Sequence, residues 1–245
     1  MSVVLVVIGL IILIVFPALT ALRSATQQNL TSTNLQALLR AAAAFAQANG
    51  CVPCPTPAAT TGAGFGLVRG AACGACDNPE GIPPYVSLGL PASMARDGWG
   101  RWITMRVDPA LTEDFKIVPP SAGTGQTGLC KAGLSKAKTT TVTAPSGPAQ
   151  PAAILFLSHG PNGYGAYIAS AVASATNGER LPFPPSAPAC AGNNGPERCN
   201  AAATGQFRDA PQAKSGPKIF DDMMLYLDRN ALVSLFGNGA CATAW

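Results

Sequence analysis

From Ser2 to Leu22 every position is apolar or small, in the run SVVLVVIGLIILIVFPALTAL. At about 1.5 Å of rise per residue a helix of this length covers about 30 Å, the hydrocarbon thickness of a bilayer. The stretch exceeds the roughly 7–15 residues of a secretory h-region and no basic segment precedes it, so an uncleaved anchor is expected rather than a removable signal. A polar stretch, Thr26 to Asn34, follows. Apolar residues then return at Leu35, Leu38, Leu39, Ala42, Phe45 and Ala46, the spacing of one buried helical face. Alanines 41 to 44 add helix propensity. Asn49-Gly50 is a C-cap signal, and Pro53 and Pro55 stop the helix beyond it. The pattern predicts one long helix, weakened near Gly9, Pro17 and the polar stretch; Pro17 removes a ladder donor and crowds the preceding turn.

Past Gly50 the regular elements are short. Trp99 to Val107 and Phe115 to Val118 read as strands from their aromatic and β-branched content. The continuous apolar run Ala152 to Leu157 reads as a strand buried on both faces. Tyr164 to Ser170 is expected to pair with it, because His159-Gly160-Pro161-Asn162-Gly163 is a turn-forming cluster between them. Ile219 to Phe236 reads as a second helix stopped by Gly237-Asn238-Gly239, with Asp221 and Asp222 favouring its positive end. Thr139 to Pro151 and Leu181 to Pro188 read as proline-rich surface connectors. Short strands following one long helix predict an α+β fold, an antiparallel sheet packed on the Leu35/Leu38/Leu39 stripe. The expected organisation is a transmembrane part at 1–22, an amphipathic extension of the same helix at 23–50, and a head domain at 51–245.

Composition sharpens this picture. Charged residues are only 11% of the chain, against about 25% in ordinary soluble domains, and the chain holds 26 glycines and 22 prolines. The first 22 residues carry no charged side chain, and the first acidic residue is Asp77. A net charge of +4, scattered along the chain, does not make the concentrated basic face that nucleic-acid binding needs. All eight cysteines, Cys51, Cys54, Cys73, Cys76, Cys130, Cys190, Cys199 and Cys241, lie after the anchor. The first four form C-x2-C-x18-C-x2-C, which fits the ligand spacing of a zinc ribbon. An even count outside the cytoplasm favours disulfides instead. Pairing Cys51 and Cys54 with Cys73 and Cys76 would close the glycine-rich loop between them.

Enzyme signatures are weak. Cys51-Val-Pro-Cys54 has the C-x-P-C form of thiol oxidoreductases, but it follows a helix end, whereas thiol activation needs a helix start. Haem attachment is excluded, since Pro55 and Asp77 stand where C-x-x-C-H needs histidine. Gly123 to Gly128 matches G-x-G-x-x-G without the strand before it or the apolar helix after it. His159, the single histidine, is adjacent to Ser158; neighbours on an extended segment point oppositely, so the two do not form a nucleophile and base. Asp221, Asp222 and Asp228 are carboxylates that could gather around a cation, with helix-dipole pairing as the more frequent role. Trp99 and Trp102 are expected in core packing.

The first segment resembles that of type IV pilins and of the pseudopilins of type II secretion, hydrophobic helices with a glycine near the middle and a proline near the end, here Gly9 and Pro17. Further patches are similar to pilin-like proteins: ANGCVPCP, PPYVSLGLP with DGWGRWITMRVDPAL, LSHGPNGYGAY, and FDDMMLYLDRNALVSLF. The resemblance implies a non-enzymatic filament subunit, a minor pilin or pseudopilin without cofactor, anchored in the bacterial inner membrane with its head in the periplasm, and extracellular once in a filament. It implies copies of itself or other pilin-like subunits as partners, together with the pilus or secretion assembly machinery. It also implies leader cleavage and methylation of the new N-terminus. Aligning Gly9 and Pro17 places the family's glutamate immediately before Met1, so either the chain starts at an internal methionine or the subunit lacks the processing site and the glutamate; the expectation is the internal start, with in-frame upstream codons for a basic leader, glycine, an aromatic residue or methionine, and then glutamate. Two rivals remain beside it: a membrane-tethered zinc or thiol-redox protein built on Cys51, Cys54, Cys73 and Cys76, and a tethered surface-binding module.

Overall fold

The computed structural model describes residues 2–69, 74, 76–112, 140–144, 147–191, 195–213, 219–228, 231, 232 and 234, with the side chains of the first helix described from Leu19 onward. Helix α1 runs unbroken over Ser2–Asn49, about 72 Å at the usual rise. The polar stretch does not weaken it. Thr26, Thr31 and Thr33 each turn a hydroxyl onto the carbonyl four residues back, so the ladder continues through them. The helix ends as its sequence predicts: Gly50 adopts φ 82° and donates its N–H to the Ala46 carbonyl. Among the residues with described side chains, no helix is long and apolar enough to cross a membrane.

The chain is α+β. Strands β1 (Glu80–Gly81), β2 (Thr104–Val107), β5 (Ile154–Ser158) and β7 (Met223–Leu227) form an antiparallel sheet in the order β1-β2-β5-β7. A second sheet has the order β4-β3-β6, from β3 (Thr141–Thr143), β4 (Ala149–Pro151) and β6 (Gln206–Arg208). A short helix, α2 (Pro196–Asn200), precedes β6. Most of the predicted stripe of α1 packs on the larger sheet: Leu35, Leu38, Leu39, Ala42 and Ala46 share a core with Met105, Val107, Ile154 and Phe156, whereas Phe45 is only half-buried and Ala43 is in the core instead. Along β5 the alternate residues Leu155 and Leu157 face the other way, onto Val142 and Phe207 of the smaller sheet. This strand is therefore buried on both faces, which is why its sequence is continuously apolar.

Polar groups of α1 also dock the head. Thr31 and Asn34 are buried; the Asn34 amide donates to the carbonyls of Ser93 and Arg96, and Gly98 N–H donates to Thr31 Oγ1 at 2.9 Å. A Cβ on Gly98 would collide with the Gln27 carbonyl. Gly98→Ala is therefore expected to destabilise the head by about 1–3 kcal/mol, read by urea denaturation in detergent; a loss under about 0.5 kcal/mol would show that the helix and turn are not so close.

Four expectations need correction. Residues 223–227 are a strand, not part of a helix: Met223, Leu225 and Leu227 face the α1 core while Met224 and Tyr226 face the second cluster. The run MMLYL satisfies either period, and pairing along all of β5 selects the extended one. Helical residues come later, at Ala231, Leu232 and Ser234, where Asp228 Oδ1 accepts the Ala231 N–H as an N-cap does. Tyr164 to Ser170 does not pair with β5, whose two edges are taken by β2 and β7; it folds against 178–181 instead, with Gly178 N–H on the Ile168 carbonyl. The connector Thr139 to Pro151 contains β3 and β4. Only the end of Trp99–Val107 is strand, because Asp97 caps a tight turn there, accepting N–H groups from Trp99 and Arg101. Phe115–Val118, Gly123–Gly128 and Gly237–Gly239 lie outside the described residues.

A buried charge cluster joins the sheet to the 164–181 segment. Glu80 accepts from Arg106 at 3.2 Å, from Arg180 and from the Tyr167 hydroxyl. Arg106 also reaches Thr140 Oγ1 and the Ala203 carbonyl, and Arg180 lies 4.0 Å over the Tyr167 ring.

Candidate metal centre

The SHGPNG turn after β5 brings together residues that are far apart in the chain. Gly160 and Gly163 adopt φ of 57° and 70°, which glycine allows without strain. A side chain at Gly160 would run into the Asp221 carbonyl and Oδ1. Arg101 pins the turn from outside, donating to the carbonyls of Gly160 and Pro161. Asn162 then points inward: its N–H donates to Asp221 Oδ2 at 3.1 Å, and its amide donates to both oxygens of Glu197. Asp221 N–H donates to Glu197 Oε1 at 2.9 Å. Asn200 donates to Asp222 Oδ2 at 2.7 Å and is itself tied to β6 through both backbone groups of Arg208.

The result is a carboxylate trio, Glu197, Asp221 and Asp222, in which one ligand atom from each lies within 4.8 Å of the others. Glu197 and Asp222 are buried and Asp221 is half-buried. A cleft of about 280 Å³ opens beside Glu197, walled by Tyr164, Phe183, Pro184, Pro188 and Arg198. The Cys190–Cys199 disulfide ties down α2, which carries Glu197.

His159 sits at the inner side, with no exposed surface. Its Nε2 lies 3.1 Å from Thr104 Oγ1 and 3.4 Å from Arg180 Nη1. Because the guanidinium can only donate, Nε2 carries the lone pair and the proton belongs on Nδ1, 3.9 Å from Asp222 Oδ1. Burial, with the charges of Arg180 and Arg101 added, holds this imidazole well below its ordinary pKa, so it is neutral. Ser158 points away and donates to Asp97 Oδ2 at 2.8 Å. The two neighbours make no catalytic pair, as their positions on an extended segment predict.

Burial raises all three carboxyls. Glu197 is pushed up to about 7, first by desolvation and then by the charge of Asp221; Asp221 is raised by desolvation, and Asp222 stands well above its usual range for the same reason. A carboxyl with a raised folded pKa lends stability that is complete below its unfolded value and lost as pH climbs through the folded one. For Glu197 that window runs from 4.5 to about 7. His159 has the opposite sign, its contribution being present above 6.5 and lost in acid. Glu197→Gln should therefore flatten the fall in melting temperature between about pH 5 and 7, measured by near-ultraviolet circular dichroism; an unchanged slope would remove Glu197 from this role.

Comparison with protein-family models, with curated proteins and with solved structures finds no match.

The sequence-predicted residues are distributed as follows. Cys54 pairs with Cys76 and Cys190 with Cys199, and Cys51 is also disulfide-bonded. The sulfurs of Cys51, Cys54 and Cys76 are thus committed to disulfides rather than to a zinc ion. Cys73, Cys130 and Cys241 lie outside the described residues. Gly9 and Pro17 lie within α1. Trp102 is buried, stacked with Tyr85 and edge-on to Phe65. Asp221 and Asp222 do cluster, but at the start of a strand rather than a helix, so helix-dipole pairing is not their role. Their third partner is Glu197, and Asp228, exposed, caps the later turn. Glu197 and Asn200 carry no local sequence signal, and Asn162 is legible only as part of a turn; the fold brings them to the trio.

Proposed function

We propose that this chain is a structural subunit of a type IV pilus-like or type II secretion pseudopilus filament, a minor pilin or pseudopilin held in the inner membrane by residues 1–22. The observation that carries this reading is the division of α1. Its second half packs on the antiparallel sheet through Leu35, Leu38 and Leu39, whereas Leu19 and Leu22 are 58% and 65% exposed on a helix that continues unbroken to Ser2. A helix whose first 22 residues are this apolar needs lipid or other helices around it. Bundling of such ends, with heads displayed outside, is the assembly that the resemblance of the first segment implies. The disulfides suit a head in the periplasm.

Membrane extraction followed by immunogold electron microscopy of sheared filaments tests this reading. Full-length protein should resist carbonate extraction and then label filaments along their length. Recovery in the soluble fraction, or filaments that never carry the label in cells expressing the chain, would overturn it.

A further inference from the structure

The cleft of about 280 Å³ beside α2 has a wall of rings and prolines, Tyr164, Phe183, Pro184 and Pro188, and two charged residues, Glu197 and Arg198. The two charges differ in their surroundings. Both oxygens of Glu197 accept from the Asn162 amide, and Oε1 accepts from Asp221 N–H as well. Arg198 is half-buried, and its guanidinium lies 5.2 Å from the centre of the Phe183 ring. Its Nε is covered and makes no hydrogen bond, and among the described residues no carboxylate pairs with it. A guanidinium can only donate, and holding one partly out of water without an acceptor is costly. Among the described residues the Tyr164 and Ser186 hydroxyls, in the same wall, are not engaged either. The free polar groups of the cleft can therefore all donate, and one of them is cationic.

The fold holds this shape by itself. Gly165 N–H donates to the Leu181 carbonyl and Leu181 N–H to the Ala166 carbonyl, which ties the Tyr164 end to the segment leading to Phe183. The Cys190–Cys199 bridge ties the Pro188 side to α2, which carries Arg198. Gly195 closes the loop between them at φ 58°, where a Cβ would meet the carbonyls of Pro188 and Ala189. Walls fastened in this way cost little to order when a ligand enters.

We propose that this cleft binds a carboxylate carried on a compact apolar or aromatic body, the carboxylate on Arg198 and the body against Tyr164, Phe183 and the prolines. Arginine and carboxylate meet through two parallel N–H···O bonds, here from the two terminal nitrogens, since Nε is covered. The apolar wall supplies the burial that holds the rest of the ligand. The volume lies at the lower end of the roughly 300–1,000 Å³ of small-ligand pockets, which suits a body about the size of one aromatic side chain. A free aromatic acid offers this chemistry, and so does an acidic residue beside an aromatic one in a partner chain. The assignment concerns the head alone and does not depend on filament assembly.

Fluorine NMR on full-length protein in detergent tests it, with para-fluorophenylacetate as probe, para-fluorophenylethanol as its uncharged counterpart, and empty micelles measured alongside. Saturable binding of the acid is expected with a Kd of about 1 mM or below, and the alcohol should bind more weakly by about tenfold or more. Arg198→Gln should weaken the acid by about tenfold or more and leave the alcohol unchanged. Arg69→Gln, at an exposed arginine outside the cleft, should bind as the unaltered protein does. Near-ultraviolet circular dichroism checks that the variants fold; should Arg198→Gln fail to, the comparison of acid with alcohol on the unaltered protein carries the test. Acetyl-Phe-Glu-amide and unlabelled phenylacetate, added as competitors, separate the two sources. Displacement at lower concentration by the peptide assigns the cleft to a chain-borne acid, and the reverse order to a free one. Absence of saturable binding by about 10 mM, equal affinity for acid and alcohol, or unchanged affinity in Arg198→Gln would overturn the proposal.

Discussion

Glu80→Ala is expected to cost the head about 3–5 kcal/mol, the usual penalty for removing one partner of a buried ion pair. Among the described residues Glu80 is the single carboxylate paired with both Arg106 and Arg180, and the side chains are 4%, 8% and 16% exposed respectively. Without it two guanidiniums stay buried beside each other, and the Tyr167 hydroxyl loses its acceptor. Arg106 keeps Thr140 and Ala203 as partners, so the sheet should loosen less than the 164–181 segment, which Arg180 holds through Glu80 and the Gly165 carbonyl. Because Arg180 also touches His159, the change should reach the wall of the acidic trio. Urea denaturation of the full chain measures the loss, and limited proteolysis should place the first new cuts within 164–181. A loss under about 1 kcal/mol would mean that the cluster behaves like an exposed pair.

Phe156→Ala is expected to cost a similar amount, about 3–5 kcal/mol. Phe156 has no exposed surface. It lies mid-way along β5, opposite Met105 on one side and Leu225 on the other, and it faces the Leu38 stripe of α1. Its removal leaves a cavity where helix and sheet meet, and neighbours held in two ladders cannot collapse to fill it. Phe156→Leu should cost distinctly less, since more of the volume is kept. Equal losses for the two variants in urea denaturation would show that ring volume is not what the core requires there.

Elements stabilised by their own periodicity were legible in the sequence. Leu35, Leu38 and Leu39 face the core at the predicted spacing, Gly50 ends the helix, and β5 is buried on both faces as its unbroken apolar run requires. Segments whose pattern fits two periods were not. MMLYL suits a helix face as well as a two-sided strand, and only the free edge of β5 decided between them. Thr31 and Asn34 belong to the polar stretch expected to weaken the helix, yet they are buried, because Ser93 and Arg96 offer carbonyls to Asn34 and Gly98 an N–H to Thr31.

The candidate site divides in the same way. Asp221 and Asp222 stand out in the sequence as adjacent acids, and His159-Gly160-Pro161-Asn162-Gly163 stands out as a turn. That the turn closes over those acids, that Glu197 joins them from 24 residues away in sequence, and that Asp228 instead caps a later helical turn follow from tertiary structure. The sequence by itself determined the apolar run at the N-terminus, the long helix, the α+β class and a chain rich in cysteine and poor in charge, because local spacing and composition carry that information. Only the tertiary structure decided the strand order, the sulfur pairings and the carboxylate trio, because each depends on which distant backbone edge or polar group becomes the nearest available partner once the core has formed.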